Sequence, residues 1–202
     1  MMLYLHGFRS SPASFKARVL EQYFKKLGLS HRWRCPQLPA SPKAALDLAR
    51  AQALDLLQSC EQPVHELTIA GSSLGGFYAI ALAEELGCRA VLINPAVHAP
   101  RDLATQVGEH TQYHSAEPMS FKATYVTELA DMAVSKITAP GRYLLMAATG
   151  DEVLDWREMV DFMAGAHHTI VPGSDHGLSD FEQYMPGMLA FAGLPISLKQ
   201  VN

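Results

Sequence analysis

The chain has 202 residues, of which 49% are hydrophobic, 18% charged and 8% aromatic, with a formal net charge of −4. That composition excludes a disordered segment or a miniature scaffold and fits one domain, residues 1–202, long enough to bury a large core. Its densest basic clusters, Lys25-Lys26 and Arg32 to Arg34, give too weak a positive field for nucleic acid or an anionic membrane, so neither is expected as a partner.

Residues 2–5 read as a strand, entered without the basic lead-in of a signal peptide and ended by His6-Gly7. Pro12 suits the first turn of a helix over 12–27, and Gly28 stops it. Residues 31–35 form a second strand closed by Pro36 and Pro39. From Ser41-Pro42 to residue 59, apolar residues recur three and four apart (Ala45, Leu46, Ala49, Ala53, Leu56, Leu57), the spacing of an amphipathic helix. A third strand over 66–70 leads into a helix over 73–86, stopped at Gly87. Residues 67–83 carry no charge, yet Gly71, Ser72, Ser73, Gly75 and Gly76 interrupt them, so no membrane span is expected there.

Strands follow over 90–93, 142–147 and 169–171, with helices over 152–163 and 179–191 after the last two. Strands alternating with helices imply right-handed crossovers, a parallel sheet and helices on both faces, the α/β class. Residues 95–140 have only patchy periodicity. They read either as an insertion over the carboxyl ends of the strands, where open α/β sheets bind ligands, or as two ordinary crossover helices. Cys35, Cys60 and Cys88 match no zinc or redox spacing and read as reduced cysteines of a cytoplasmic protein.

Gly71-Ser72-Ser73-Leu74-Gly75 fits G-x-S-x-G between an apolar strand and a helix, where a tight turn lifts a serine above the sheet edge. The spacing selects Ser73 over Ser72. Gly71 and Gly76 also have the five-residue separation of a phosphate loop, but Phe77-Tyr78 stand where lysine and a hydroxyl residue are needed. A plain glycine-rich turn without catalysis is the bland alternative.

A serine nucleophile needs a base and a carboxylate that orients the base. Gly150-Asp151-Glu152 follows the fifth strand, and Gly173-Ser174-Asp175-His176-Gly177 the sixth, both at the sheet edge that carries Ser73. Among nine histidines, His176 alone lies in a small-residue loop between the last strand and the last helix. His167 and His168 belong to or adjoin that strand, and His98, His110 and His114 fall within 95–140. Glu152, Asp155 and Asp175 rival Asp151 as the acid, with helix-start or loop roles as their ordinary reading. For a tetrahedral oxyanion, the amides of Leu74 and Phe8 are the candidate donors. Gly7 lets the Phe8 backbone come close. His6 reads as a hydrogen-bonded buried histidine, and Arg9 as a solvated loop residue. Asp151, Asp175 and His176 could also be metal ligands, but no paired-ligand spacing supports a site.

Tyr4-Leu5-His6-Gly7-Phe8, Ser10-Ser11-Pro12, Pro36-Gln37-Leu38-Pro39, the Ser73 turn through Gly76, Asn94-Pro95-Ala96-Val97, Thr149 to Asp155 and His176 together resemble the YqiA-type bacterial esterases of the α/β-hydrolase superfamily. The resemblance thins over 100–139 and at Gly177-Leu178. It implies a three-layer sandwich of about six parallel strands, order 2-1-3-4-5-6, with a small lid or none and without the two leading antiparallel strands of the full architecture. It also implies Ser73 as nucleophile, Asp151 as acid and His176 as base. The implied chemistry is hydrolysis of small-molecule carboxylic esters and acyl thioesters of the acyl-CoA type, without a cofactor. An amidase or acyltransferase on the same residues and a non-catalytic binding protein of this fold are the alternatives. Oligomeric state is not legible.

Overall fold

The computed structural model describes residues 1–113 and 118–196; His114 lies outside them. The elements in chain order are β1 (Met2–Leu5), α1 (Phe15–Lys26), β2 (Trp33–Arg34), α2 (Pro42–Ser59), β3 (Thr68–Ser72), α3 (Leu74–Leu86) and β4 (Arg89–Ile93). They continue with α4 (Ala99–Leu103), β5 (Gly108–Thr111), β6 (Pro118–Phe121), α5 (Ala123–Asp131), β7 (Tyr143–Ala148), α6 (Trp156–Phe162), β8 (His167–Val171) and α7 (Phe181–Phe191). Six strands form one sheet in the order β2-β1-β3-β4-β7-β8, every pair parallel. In strand count and order this is the expected arrangement, an α/β-hydrolase-like sandwich.

Strand alternation sorts the core into two layers. Leu3, Leu5, Ile69, Leu92 and Leu145 face one side with Ala45, Leu56, Phe77 and Ile80 of α2 and α3. Met2, Tyr4, Ala70, Val91 and Met146 face the other with Leu20 and Phe24 of α1 and Met188 and Leu189 of α7. Burying a side chain such as Phe24 stabilises by roughly 1.5–3 kcal/mol. Where helices end, local chemistry matches the sequence: the Ser41 hydroxyl accepts from the Ala44 amide ahead of Pro42, and Gly28 and Gly87 adopt φ of 69° and 76°.

Several boundaries differ from the sequence expectation. β3 begins two residues later than expected and runs to Ser72, because 64–66 form a 3₁₀ turn. β2 shrinks to two residues after a 3₁₀ turn over Ser30–Arg32. β8 includes His167 and His168. α1 and α7 start at Phe15 and Phe181 rather than 12 and 179. α6 starts at Trp156 because Asp151 claims the preceding amides of Val153 and Leu154, and Asp155 caps the helix by accepting from the Arg157 amide in its first turn. Residues 95–140 hold α4, β5, β6 and α5. Within them α5 sends Leu129 into the α2–α3 layer, while β5 and β6 form an antiparallel pair that packs beside the loop after β1. No helix among the described residues is long and apolar enough to cross a membrane. Cys35, Cys60 and Cys88 are free, and burial pushes the thiols of Cys35 and Cys88 up to about 12.

Candidate active site

Ser73 caps α3 with φ 54° and ψ −120°, a conformation a side chain rarely adopts and one that stores strain. The flanking glycines make the turn possible. A Cβ on Gly71 would sit 2.1 Å from the Gly75 carbonyl oxygen, and one on Gly75 would sit 2.0 Å from that of Leu5. The main chain of Ser73 is held from both directions: its N–H donates to Ile93 at 3.0 Å, and its carbonyl accepts from Gly76 at 2.9 Å and Ala96 at 3.1 Å. Ser72 lines the same cleft but is buried and hydrogen-bonded to Tyr4, whose own titration burial pushes far upward.

Asp151 leaves the end of β7 and His176 lies between β8 and α7. His176 Nδ1 and Asp151 Oδ2 are 2.8 Å apart, and the Asp151 side chain is 0% exposed against 20% for His176. An ionised carboxylate only accepts, so Nδ1 carries the proton and Nε2 offers a lone pair. Asp151 Oδ1 meanwhile accepts from the Val153 and Leu154 amides at 2.8 and 2.9 Å, which fixes the carboxylate plane.

The three rival carboxylates are engaged otherwise. Glu152 accepts from the His176 backbone N–H at 3.0 Å, Asp155 caps α6, and Asp175 accepts from the Ser179 amide at 2.8 Å. Of the other histidines, His6 is buried, donates from Nδ1 to the Gly7 carbonyl at 3.0 Å and accepts at Nε2 from the Leu38 amide at 3.0 Å. Both contacts together require the neutral ring. His98 packs on Phe162, His110 on Phe8 and His167 on Phe191, while His168 contacts the Met163 carbonyl.

Ser73, Leu74, Phe8 and His176 line one cleft of about 690 Å³. A Cβ on Gly7 would lie 3.2 Å from Ser73 Cβ, so the chain leading to the Phe8 amide runs directly against the serine. The Phe8 ring is anchored edge-on to Phe121 of β6. Arg9 at φ 59° is not a free solvated residue: its Nε donates to the Thr111 carbonyl at 2.8 Å, and its guanidinium lies 4.7 Å over the Tyr113 ring. Among the described residues no group of three or more His, Cys, Asp or Glu side chains could hold a metal ion.

Two residues in and around the site went unassigned in the sequence. Asn94 lay in a motif whose role was open, and Lys16, which lines the same cleft, sits in a helix with no distinguishing local signal.

Residues 1–193 match the uncharacterised protein family UPF0227. Among solved structures, one of the metagenome-derived lipolytic enzymes LipS and LipT is 18% identical, with 95% of this chain and 92% of that chain covered at a TM-score of 0.73. The Est1E protein of Butyrivibrio proteoclasticus, solved with ferulic acid bound, is 17% identical over 94% and 89% at 0.60. The monoacylglycerol lipase of Paleococcus ferrophilus is 14% identical over 95% and 93% at 0.62. Matched by that family model over residues 1–193 and similar to these structures over nearly its whole length, the chain belongs to family UPF0227, the YqiA-like family, and has the α/β-hydrolase fold.

Proposed function

We propose that the protein is a serine hydrolase of carboxylic esters and of acyl thioesters of the acyl-CoA type, working through an acyl-enzyme on Ser73. The observation that carries this reading is the 2.8 Å contact of a buried Asp151 with His176, on a cleft shared with a serine held at positive φ. His176 Nε2 takes the Ser73 Oγ proton as Oγ bonds to the acyl carbon. The carbonyl π pair moves onto oxygen, where the Phe8 and Leu74 amides receive it. Asp151 stabilises the imidazolium. Collapse re-forms the carbonyl and breaks the bond to the leaving oxygen or sulfur, which takes its proton from His176. Water then repeats the cycle and releases the acid and free Ser73.

Esters are favoured as the substrate class because the similar structures include lipolytic enzymes, a monoacylglycerol lipase and a protein with ferulic acid bound. The cleft volume falls within the roughly 300–1,000 Å³ usual for small-molecule sites. We read the chain as one hydrolase domain in which β5 and β6 form a small insertion beside the oxyanion loop. The test is hydrolysis of p-nitrophenyl esters and acyl-CoA by purified protein. The proposal expects Ser73→Ala to abolish it with the fold retained; full activity in that variant, or amides cleaved faster than esters, contradicts it.

A further inference from the structure

Residues 172–180 between β8 and α7 carry His176, and three consecutive carbonyls of that loop meet buried side-chain donors. Asn94, 0% exposed, donates from Nδ2 to the Asp175 carbonyl at 3.1 Å and to the His176 carbonyl at 2.9 Å. Its Oδ1 accepts from the Ala148 amide at 2.8 Å. Every polar function of this amide is therefore used to tie the base loop to the ends of β4 and β7, and φ of 43° aims it there. The next carbonyl, Gly177, accepts from the Lys16 ammonium, which reaches across from the first turn of α1.

We infer that Lys16 and Asn94 are positioning residues of the hydrolytic site, holding the carbonyls on both sides of His176 so that its ring leaves the backbone toward Ser73; the inference rests on the reading above. With the His176 N–H on Glu152, the peptide units flanking the base are pinned. Asp151 then has only the ring's rotation to fix.

Lys16 is the more telling of the pair. It is 8% exposed, and burial pulls its ammonium down to about 8, with Asp175 opposing. Asp175 of the base loop is the charged group that acts on it, and the cleft that Lys16 lines also carries Tyr4 from β1, Arg9 and Tyr113 from loops, Arg101 and Asp102 from α4, and His176. A methionine would fill the same space without burying a charge, so packing alone gives no reason for lysine. A charged donor, however, makes a hydrogen bond about twice as strong as a neutral one. Losing its proton weakens the grip on Gly177 without removing it.

The experiment compares the full-length protein with Lys16→Met and Lys16→Arg between pH 7 and 10. It follows kcat and KM for p-nitrophenyl butyrate and the low-field proton NMR signal of His176 Nδ1–H. Lys16→Met is expected to lose roughly 10- to 100-fold in kcat, the scale of a misplaced catalytic group, with KM within about twofold and a shifted or broadened His176 signal. The wild type is expected to lose kcat as pH rises past about 8, a decline absent from Lys16→Met. Lys16→Arg should restore kcat at pH 7 and hold it to pH 10. If Lys16→Met does not fold, the alkaline decline of the wild type and its absence in Lys16→Arg decide the matter. Unchanged kcat, pH profile and His176 signal in Lys16→Met overturn the inference, as does a wild-type profile flat through pH 8 to 10. Should the wild type hydrolyse no ester while the His176 signal still follows Lys16, the positioning role stands and the hydrolase reading fails.

Discussion

On the proposed mechanism, a single methyl group on Gly7 should lower catalysis far more than stability. Built on the backbone, the Cβ of Gly7→Ala lies 3.2 Å from Ser73 Cβ, 3.3 Å from the Ser72 carbonyl oxygen and 3.8 Å from Ser73 Oγ. The first two contacts are a few tenths of an ångström too close, and the loop after β1, which meets the β5–β6 pair through Phe8 and Arg9, is the side that yields. Relaxation of that size costs about 1–2 kcal/mol of stability. Oxyanion donors work at 2.7–3.1 Å, and complete loss of one costs roughly 100- to 1000-fold in kcat. Partial displacement of the Phe8 amide therefore predicts a fall of about 10- to 100-fold in kcat, with KM little changed. The assay is steady-state hydrolysis of p-nitrophenyl butyrate beside urea unfolding, with Gly75→Ala as the contrast. There the Cβ would overlap the Leu5 carbonyl oxygen at 2.0 Å and the Leu5 carbonyl carbon at 2.5 Å, contacts made by β1 and the α3 backbone that cannot both move, so folding itself fails. Wild-type kcat in folded Gly7→Ala would refute the assignment of the Phe8 amide.

Replacing Asp151 with Asn keeps the shape but turns a donor toward His176 Nδ1, and a loss near 10⁴-fold in kcat is expected by steady-state kinetics, with a secondary-structure spectrum like that of the wild type. For Lys16 the linkage runs opposite to activity. Its folded value, about 8 against an ordinary 10.5, means that the unfolded chain binds more protons between those limits. The cost of burying the charge, roughly 3 kcal/mol, is full below pH 8, and stability contributed at this residue rises from pH 8 to 10.5. Urea midpoints of wild type minus Lys16→Met across that window measure it. At the opposite end of the sheet, burial works against the Glu84 carboxylate, but hydrogen bonds from Thr138 and Tyr143 and the Arg142 guanidinium outweigh it and hold its titration low. The stability it contributes is present at neutral pH and lost as pH falls through that lowered value. Glu84→Gln should therefore lower the urea midpoint at pH 7 and flatten its acid dependence.

The parts of this molecule governed by near neighbours were readable from the residues. β1 matches its expected bounds, Ser41-Pro42 starts α2 by capping chemistry, and the glycines at 71 and 75 announce a turn that only small residues can close. His176 stood out because one short loop between a strand and a helix held it. What the sequence hid depends on distant partners. Residues 152–155 read as helix, yet the carboxylates of Asp151 and Asp155 capture their amides and those just beyond. The strands of 108–121 are Gly-Glu-His-Thr and Pro-Met-Ser-Phe, without the apolar run that marks β1. Lys16 meets Gly177 and Asn94 meets His176 across 161 and 82 residues, and no periodicity encodes either contact.

Intact-mass analysis after incubation with a fluorophosphonate, followed by peptide mapping, tests the nucleophile most directly. A single phosphonyl adduct on Ser73 is expected, formed by folded wild type and lost in Ser73→Ala and His176→Ala. A folded protein that takes up no label, or carries it on any residue other than Ser73, would contradict it.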